Sequence, residues 1–383
     1  MLISASAKPV LLVLNPGSSN IKWTVFNASS QRMSGIPIVL AEGQVSLQKD
    51  KNAIEQLRTV TADYELGALI VRVVHGGPVF SSPIEVSDES LNQLKSMVSL
   101  APLHNKIAID LIEGWQWLDN TIRIFAAFDT NFFADLPALA QTYGLPWKLI
   151  EKHRIRRYGF HGFAHQDMVK QWRQKNPHRK GFTLVTAQLG SGCSMAAIRD
   201  GKPVNTSMGF TPNEGLLMRT RSGDMDPGLL IWLQQHEGWS PDEIDHLLNH
   251  EAGWRGLSGG TDNMAELFAS DHQQCRLAFD LFRYRFQKTL GAYFAILGGL
   301  DGILLSGGIA EHNPVLCWRL LSGLSHLGIE LQAEPAKSNL PIGVSSTTSK
   351  IQCWVVASDE AAMMLNAVQQ QFPNDFSYQL AAD

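Results

Sequence analysis

The sequence predicts a mixed α/β protein made of two similar halves. Short β-rich apolar runs alternate along the chain with stretches of helical spacing, a pattern that fits strands packed under helices better than a bundle or a sandwich. The segment VLNPGSSNIKW (13–23) passes from an apolar run through a glycine-serine turn into a second run, and FTLVTAQLGSGCSMAAIRDG (182–201) repeats that arrangement. A third glycine cluster, in GILLSGGIAEHNP (302–314), again follows an apolar run. Two strand-turn-strand units heading two halves imply a duplicated architecture with two facing domains.

The elements follow in chain order. Val10 to Leu14 and Ile21 to Phe26 read as strands joined by the first turn. Leu69 to Val74 is another apolar strand, ended by His75-Gly76-Gly77. A helix is expected over Asp88 to Leu100, with Asp88 as its cap and Leu91, Leu94, Met97 and Val98 at helical spacing. Ile122 to Phe128 is a fourth strand and stops at Asp129. The second hairpin turns at Gly190 to Ser194. From Asp271 to Leu297 a long helix is expected, its apolar face marked by Leu277, Leu281, Tyr284 and Phe286. After the third glycine cluster Glu311 and Asn313 stand ready to start a helix. No low-complexity linker divides the chain.

Composition narrows the function. A chain of 383 residues can form more than one sizeable core, and 44% hydrophobic with 18% charged residues is ordinary for a globular protein. The formal net charge of -4 excludes a global basic field that would attract nucleic acid or an anionic membrane, although Arg154, Arg156 and Arg157 form a local candidate anion site. Cys193, Cys275, Cys317 and Cys353 stand far apart without metal-ligand spacing, which fits a reduced, cytoplasmic setting. The first apolar run is too short for a secretory signal, and Gly298, Gly299 and Asp301 break the stretch around Leu297 to Leu305 that comes nearest to a membrane span.

Glycine lets backbone N–H groups approach an anion, so two such turns facing each other suit a polyphosphate. Each turn taken singly also fits a hairpin with no ligand. The third cluster fits a ring or ribose lying against the backbone, and equally a tightly packed strand-to-helix turn.

The segments NPGSSNIK, RVVHGG, APLHN, FDTNFF, RRYGFHG, LGSGCS, TSMGFTPNEG, TRSGDMDPG and LSGGIAEHNP occur in the order in which acetate kinases carry closely similar ones, from about residue 10 to about residue 365. The chain thus resembles the acetate kinases. That resemblance implies the duplicated actin-like (ribonuclease H-like) fold of the acetate and sugar kinase, heat-shock protein 70 and actin superfamily, with a nucleotide cleft between the lobes. The implied domains are 1–152 and 153–357, with 358–383 a C-terminal helix returning to the first. The implied reaction is reversible transfer of the ATP γ-phosphoryl group to acetate, giving acetyl phosphate and ADP, with Mg²⁺ or Mn²⁺. A homodimer is also implied.

By the same resemblance Asp129, His161 and Arg221 are the candidate catalytic residues. Arg72 and His104 belong to the acid's site, and Val74, Leu103, Phe160 and Pro212 match the pocket for its methyl group. An arginine ending a buried strand suits an anion as partner, since a guanidinium grips a carboxylate by two hydrogen bonds; an internal salt bridge is the other reading. Val74 follows Arg72 by two positions, so on a strand both side chains share one face. Acetate is already ionised at pH 7, so Asp129 is expected to orient Arg221 or the metal rather than act as a base. His104 stands as a substrate-site or structural histidine. The small pocket implies that propionate reacts too.

On the nucleotide side the resemblance assigns Lys22, the turn Gln188-Leu189-Gly190-Ser191-Gly192, the segment Asn263-Met264-Ala265, and Gly307-Gly308-Ile309-Ala310-Glu311. Asn15 is the metal-associated residue, with Asp359, or Glu360 by one residue's slip, as the metal carboxylate. Several positions depart from the family's usual residues. Gln188 replaces a histidine, Ala265 an arginine, Asn205 an aspartate, and Arg219 the glycine of Met-Gly-Thr-Arg. Three readings therefore compete: an active short-chain acyl kinase; a nucleotide-binding paralogue with little turnover that works as a sensor or assembly partner; and a different kinase of the superfamily acting on a sugar or a longer acid, against which the match at the acyl pocket argues.

Overall fold

The computed structural model describes residues 9–17, 20–28, 37–47, 52–335 and 339–375. Ser18 and Ser19 of the first turn lie outside these residues, as does the side chain of Leu103. The chain divides into two units, the first formed by residues 1–131 and 359–383, the second by 132–358.

The first unit is a six-stranded sheet: β1 (Val10–Pro16), β2 (Asn20–Asn27), β3 (Val39–Ser46), β4 (Leu66–Val73), β5 (Ile84–Glu85) and β6 (Arg123–Phe128), in the order β3-β2-β1-β4-β6-β5. Strand β1 is antiparallel to β2 and parallel to β4, which is parallel to β6. The near-continuous apolar runs of β1 and β4 are those of parallel strands covered on both faces. Numbering only helices of eight residues or more, the unit carries α1 (Ala53–Val60), α2 (Asp88–Ser96) and α3 (Pro102–Leu118). Leu12, Leu14, Leu69, Val71, Val73, Ala126 and Phe128 meet Leu94, Ala108 and Ile112 of these helices in one core. Arg72 falls between Val71 and Val73, so strand alternation aims it at the other face.

The cap of α2 is Ser87 rather than Asp88. Ser87 Oγ accepts from Ser90 N at 3.2 Å while Ser90 Oγ accepts from Ser87 N at 2.8 Å, a reciprocal capping box, and Asp88 becomes the first helical residue. The helix stops at Ser96 and a 3₁₀ turn, Val98–Leu100, leads into α3. The expected single helix to Leu100 is therefore shorter, its last residues tightening into i→i−3 bonds, Met97 N to Leu94 O at 3.1 Å and Leu100 N to Met97 O at 3.0 Å.

The second unit repeats the first sheet strand for strand. It comprises β7 (Thr183–Leu189), β8 (Cys193–Arg199), β9 (Lys202–Thr206), β10 (Gly302–Ser306), β11 (Ile342–Gly343) and β12 (Gln352–Val355), in the order β11-β12-β10-β7-β8-β9. Read from β9, that order and the strand directions match those read from β3. The duplication noticed at two glycine turns therefore extends over two whole sheets. Its longer helices are α4 (Gly162–Lys175), α5 (Pro227–His236), α6 (Gln273–Leu297) and α7 (Pro314–Leu321). Trp172 of α4 fills the core with Leu184, Ile198 and Leu304.

Helix α6 turns a different face inward from the one expected. Cys275, Ala278, Phe282, Phe286, Leu290, Tyr293 and Leu297 are buried, whereas Leu277 and Tyr284 are 61% and 63% exposed. The buried stripe includes small residues that an apolar count overlooks. Helix α5 buries no residue at all, although it carries Leu229, Leu230, Ile231, Trp232 and Leu233. The last described helix, α8 (Glu360–Gln371), belongs to the first unit and packs on β1, β4 and β6. No helix among the described residues is long and apolar enough to cross a membrane. All four cysteines are buried and free.

Candidate active site

In the first unit a chain of polar groups crosses the ends of β1, β4 and β6. Arg72 Nε donates to Asp129 Oδ1 at 2.9 Å and its NH2 group donates to Asp129 Oδ2, so the two side chains meet fork to fork. Arg72 NH1 donates to Asn15 Oδ1 at 2.9 Å and more weakly to Pro16 O at 3.5 Å. Asn15 Nδ2 in turn donates to Glu360 Oε2 at 2.8 Å. Both Arg72 and Asp129 are buried. Desolvation alone would lower the arginine's pKa, but attraction to Asp129, the hydrogen bonds between them and the charge of Glu360 together raise it above its ordinary value.

This geometry separates Asp359 from Glu360. Asp359 Oδ1 accepts from Ala362 N at 2.9 Å as the N-cap of α8, whereas Glu360 joins the Asn15–Arg72 chain. Lys22 is exposed and pairs with Asn15 across the β1–β2 ladder, so both side chains share one face of the sheet. Val74 is buried just beyond β4, and His104 is half-buried near the start of α3.

Two residues here had not been singled out. Asn105 Oδ1 accepts from His75 N, and Asn105 Nδ2 donates to His75 O, each at 3.0 Å. His75 Nδ1 accepts from Gly77 N at 2.9 Å. These bonds pin the loop after β4 to the first turn of α3. Both residues stand in the quoted segments RVVHGG and APLHN, the only sequence signal that could have found them.

In the second unit His161 leads α4 with φ 58°, a left-handed conformation that is uncommon outside glycine, though less so for histidine than for most residues. Its Nδ1 lies 2.8 Å from Ser194 Oγ on β8. The same oxygen lies 2.8 Å from His165 Nε2, and His165 Nδ1 lies 2.7 Å from Thr186 Oγ1 on β7. Burial keeps His165 neutral by lowering its pKa to about 3. Thr186 is fully buried and its hydroxyl has no hydrogen-bond partner besides His165 among the described residues. Its proton therefore goes to Nδ1, His165 donates from Nε2 to Ser194, and Ser194 donates to His161 Nδ1. A neutral His161 then carries its proton on Nε2.

Arg221 lies beside the glycine turn between β7 and β8. A Cβ on Gly192 would stand 2.5 Å from Arg221 NH2 and 3.3 Å from His161 Cε1, so only glycine allows this approach. Arg221 NH1 donates to Pro212 O at 2.7 Å, which places the buried Pro212 next to the cation. Desolvation, with a smaller push from Arg219, lowers the pKa of Arg221 to about 10. Among the described residues of its unit no carboxylate pairs with it. A desolvated cation without a counter-charge is a site waiting for an anion.

The third glycine cluster braces the second. Gly307 has φ 90°, and a Cβ there would stand 2.5 Å from Leu189 O. Gln188 Oε1 is buried and without a hydrogen-bond partner. Glu311 Oε1 accepts from Ser306 Oγ at 2.9 Å and from Gly307 N at 2.8 Å, so this carboxylate closes its own turn. The helix after the cluster, Gly308–His312, starts before Glu311 rather than at it, and Asn313 donates from Nδ2 to Ile309 O at 3.1 Å. Within that helix Ala310 is buried while Gly308 is exposed. Asn263 caps the short helix Met264–Ala269 by accepting from Ala265 N at 2.8 Å, and Met264 is buried.

Phe160 is fully buried. Of the arginines before it, Arg157 is paired with Glu214, and Arg156 donates to Phe133 O and Ala134 O at 3.1 and 3.0 Å. Glu214 also accepts from Tyr143, and Tyr143 Oη accepts from Phe210 N at 2.8 Å. This network, absent from the sequence reading, shapes the loop that carries Pro212 and Arg221.

Comparison with known proteins agrees with this geometry. The family described as the acetokinase family matches residues 36–366. The chain is 40% identical over 377 residues to the acetate kinase of Sulfurimonas denitrificans, covering 91% of this chain and 96% of that protein. To the acetate kinase of Dictyoglomus thermophilum it is 35% identical over 387 residues, covering 92% and 97%. Among solved structures it is similar to Porphyromonas gingivalis acetate kinase, with TM-score 0.81, 30% identity and coverage of 95% and 100%. A propionate kinase from Francisella tularensis gives TM-score 0.83 and 31% identity, with coverage of 94% and 98%.

Proposed function

Because the chain belongs to the acetokinase family, we infer that it transfers the γ-phosphoryl group of ATP to a short-chain carboxylic acid, acetate first, giving an acyl phosphate and ADP. The observation that carries this reading is Arg221, a desolvated cation with no carboxylate partner among the described residues of its unit, held against a glycine turn and next to His161. Such a group suits the charge that spreads over a phosphoryl group in transfer.

In the proposed step a carboxylate oxygen of the acid forms a bond to the γ-phosphorus as the bond to the bridging oxygen breaks. The electron pair leaves with ADP, and no proton has to move. Arg221 would stabilise the equatorial oxygens, and His161 would donate to one of them from Nε2. Gln188 and the turn to Gly192 would hold the phosphate chain, with Lys22 as a further cation. Of the five N–H hydrogens of Arg72, Asp129 takes two, Asn15 and Pro16 take those on NH1, and one on NH2 remains. Arg72 would thus offer the acid its charge and one hydrogen bond, while Asp129 fixes its plane. Val74 in the first unit, and Phe160 and Pro212 in the second, keep the role toward the carbon tail that the family resemblance implies.

The family's divalent metal suits the donor set of the first unit. Mg²⁺ prefers oxygen ligands, keeps several waters and uses one or two carboxylates with substrate phosphates, so it does not require a gathered cluster. Among the described residues no group of three His, Cys, Asp or Glu side chains forms such a cluster. Glu360 would hold the ion, steadied by Asn15, while Asp359 is engaged as a helix cap. When bound, the metal would neutralise phosphate charge.

The uncovered apolar residues of α5 support a homodimer with this helix at its interface. Buried free cysteines suit a cytoplasmic enzyme. The test is hydroxylamine trapping of acyl phosphate with Mg²⁺, several ATP concentrations, and acetate, propionate and butyrate in parallel. Hydroxamate should form from acetate, and from propionate less efficiently, since one methylene is worth about 1–3 kcal/mol. Nucleotide binding in calorimetry with no hydroxamate from any acid would return the protein to the non-catalytic reading.

A further inference from the structure

We propose that Arg219, assisted by Arg255, binds the phosphate chain of the nucleoside di- or triphosphate and replaces the arginine absent at Ala265; this rests on the kinase reading above. Four observations carry it. Arg219 N donates to Ser191 O at 3.1 Å, so its backbone is fastened to the glycine-serine turn, while Met218 N donates to Arg221 O at 3.0 Å and closes the small turn carrying both arginines. The turn thus meets the backbone of Arg219 at Ser191 and the guanidinium of Arg221 at Gly192.

The charges around Arg219 do not balance. Its nearest carboxylate is Asp262, at 3.9 Å from NH1, and that carboxylate is held more closely by Arg255 Nε at 3.1 Å. Arg219 and Arg255 are thereby gathered on one half-exposed aspartate, with Arg221 a third cation close by. A loose, solvent-screened pair of this kind is a weak restraint that a polyphosphate can displace.

The side chain of Arg219 is also unfinished. Its Nε is buried and has no hydrogen-bond partner among the described residues, an unusual state for a charged donor. A phosphate oxygen is the acceptor that a guanidinium in this position matches.

Finally, Asp262 places the cluster where the missing arginine would stand. Asp262 immediately precedes Asn263, the cap of the short helix Met264–Ala269, and Ala265 occupies the first turn of that helix. Arg219 occupies the position of a family glycine, so the chain gains a cation that reaches this segment at Asp262 as it loses one at Ala265.

The experiment titrates Mg-ADP, and separately adenosine, into the full-length protein by calorimetry, with hydroxamate kinetics alongside. R219G should weaken ADP at least tenfold, leave adenosine within twofold and leave the acetate KM within twofold. R219K, which keeps the charge without the fork, should fall between R219G and the parent. Adding A265R to R219G should recover most of the lost ADP affinity, and R219G should flatten the salt dependence of ADP binding. ADP affinity within twofold of the parent in R219G, or equal losses for ADP and adenosine, would overturn the proposal. If the parent protein forms no hydroxamate, the kinase reading fails, and the ADP titration of R219G still decides whether Arg219 binds phosphate. If the parent binds no ADP, both fall.

Discussion

Arg72 and Asp129 meet fork to fork across the parallel strands β4 and β6, where Asp129 N also donates to Val73 O at 3.1 Å. Each is a counter-charge to the other, and both are buried. The pair is therefore a structural element as well as a candidate site for the acid.

Removing Asp129 leaves Arg72 a buried cation without its fork partner, at about 3–5 kcal/mol. Asp129→Ala should lower unfolding stability by that order, and Asp129→Asn by less. The double change Arg72→Met, Asp129→Leu should lose clearly less than the sum of Arg72→Met and Asp129→Leu measured singly. Urea unfolding of these variants checks the pair. Additive losses would show that no coupling exists.

His165 predicts an acid-sensitive fold. Its pKa falls from 6.5 in the unfolded chain to about 3 in the folded one, because burial disfavours the charged ring. Between those values the unfolded chain binds a proton that the folded chain refuses, so the unfolded state binds more protons and stability rises with pH. The stability is complete above about pH 6.5 and is lost as pH falls toward 3, at roughly 1.4 kcal/mol per pH unit. His165→Gln should flatten this decline between pH 6.5 and 4.5. Parallel acid limbs in the two proteins would sink the assignment.

The bonds running from Thr186 to His161 predict a tautomer. Nitrogen-15 spectra of labelled histidines should place the proton of His161 on Nε2. Ser194→Ala should mix the tautomers and reduce kcat about ten- to a hundredfold, the range of a positioned proton donor, with both KM values little changed. A proton found on Nδ1 in the unaltered protein contradicts the arrangement.

Gly192→Ala tests the approach of Arg221 to the turn. The new methyl group would stand 2.5 Å from Arg221 NH2. Displacing a catalytic group by about 1 Å can cost on the order of a hundredfold. We expect kcat to fall at least tenfold while the thermal midpoint shifts by only a few degrees. Unchanged kcat would remove Arg221 from the reaction.

Asp359 and Glu360 should separate cleanly. Glu360→Gln should raise the Mg²⁺ concentration needed for half-maximal turnover by about tenfold, because one carboxylate charge carries much of a magnesium site's affinity. Asp359→Asn should be nearly silent, since asparagine caps a helix as well as aspartate does, and Asp359→Ala should reduce stability by about 1 kcal/mol. The reverse pattern, with Mg²⁺ dependence following Asp359, would reassign the metal carboxylate.

The sequence was most legible where apolar runs end at glycine. The hairpins at Gly17 and Gly190 and the strand before Gly307 are local features, and their repetition already implied two matching sheets. Contacts between distant residues were not legible. Arg72 and Asp129 are 57 residues apart, Asn15 and Glu360 are 345 apart, and nothing local says which carboxylate meets which partner. His165 was missed because a histidine inside an amphipathic helix has no sequence mark until Thr186 and Ser194 stand beside it. The inward face of α6 was misjudged for a related reason: Cys275 and Ala278 are buried by what packs on them, while the larger Leu277 and Tyr284 remain outside. Ser87 and Asp88 are both good caps, and the choice between them belongs to backbone geometry.

Helix α8 completes the first unit although the whole second unit precedes it in the sequence. Ala362, Met363, Met364, Leu365 and Val368 are buried in it, and Phe372 just beyond meets Phe125 of β6 with ring centroids 5.1 Å apart. A ribosome must deliver the 227 residues of the second unit, 132–358, before any of these appear. At about 5–20 residues per second that is roughly ten to forty-five seconds. During that interval the nascent first sheet displays an uncovered apolar surface on β1, β4 and β6, the kind that chaperones bind, while the uninterrupted second unit can already fold. The late arrival of α8 also brings Glu360 to Asn15, so the polar chain through Arg72 closes in the same docking event that covers the sheet.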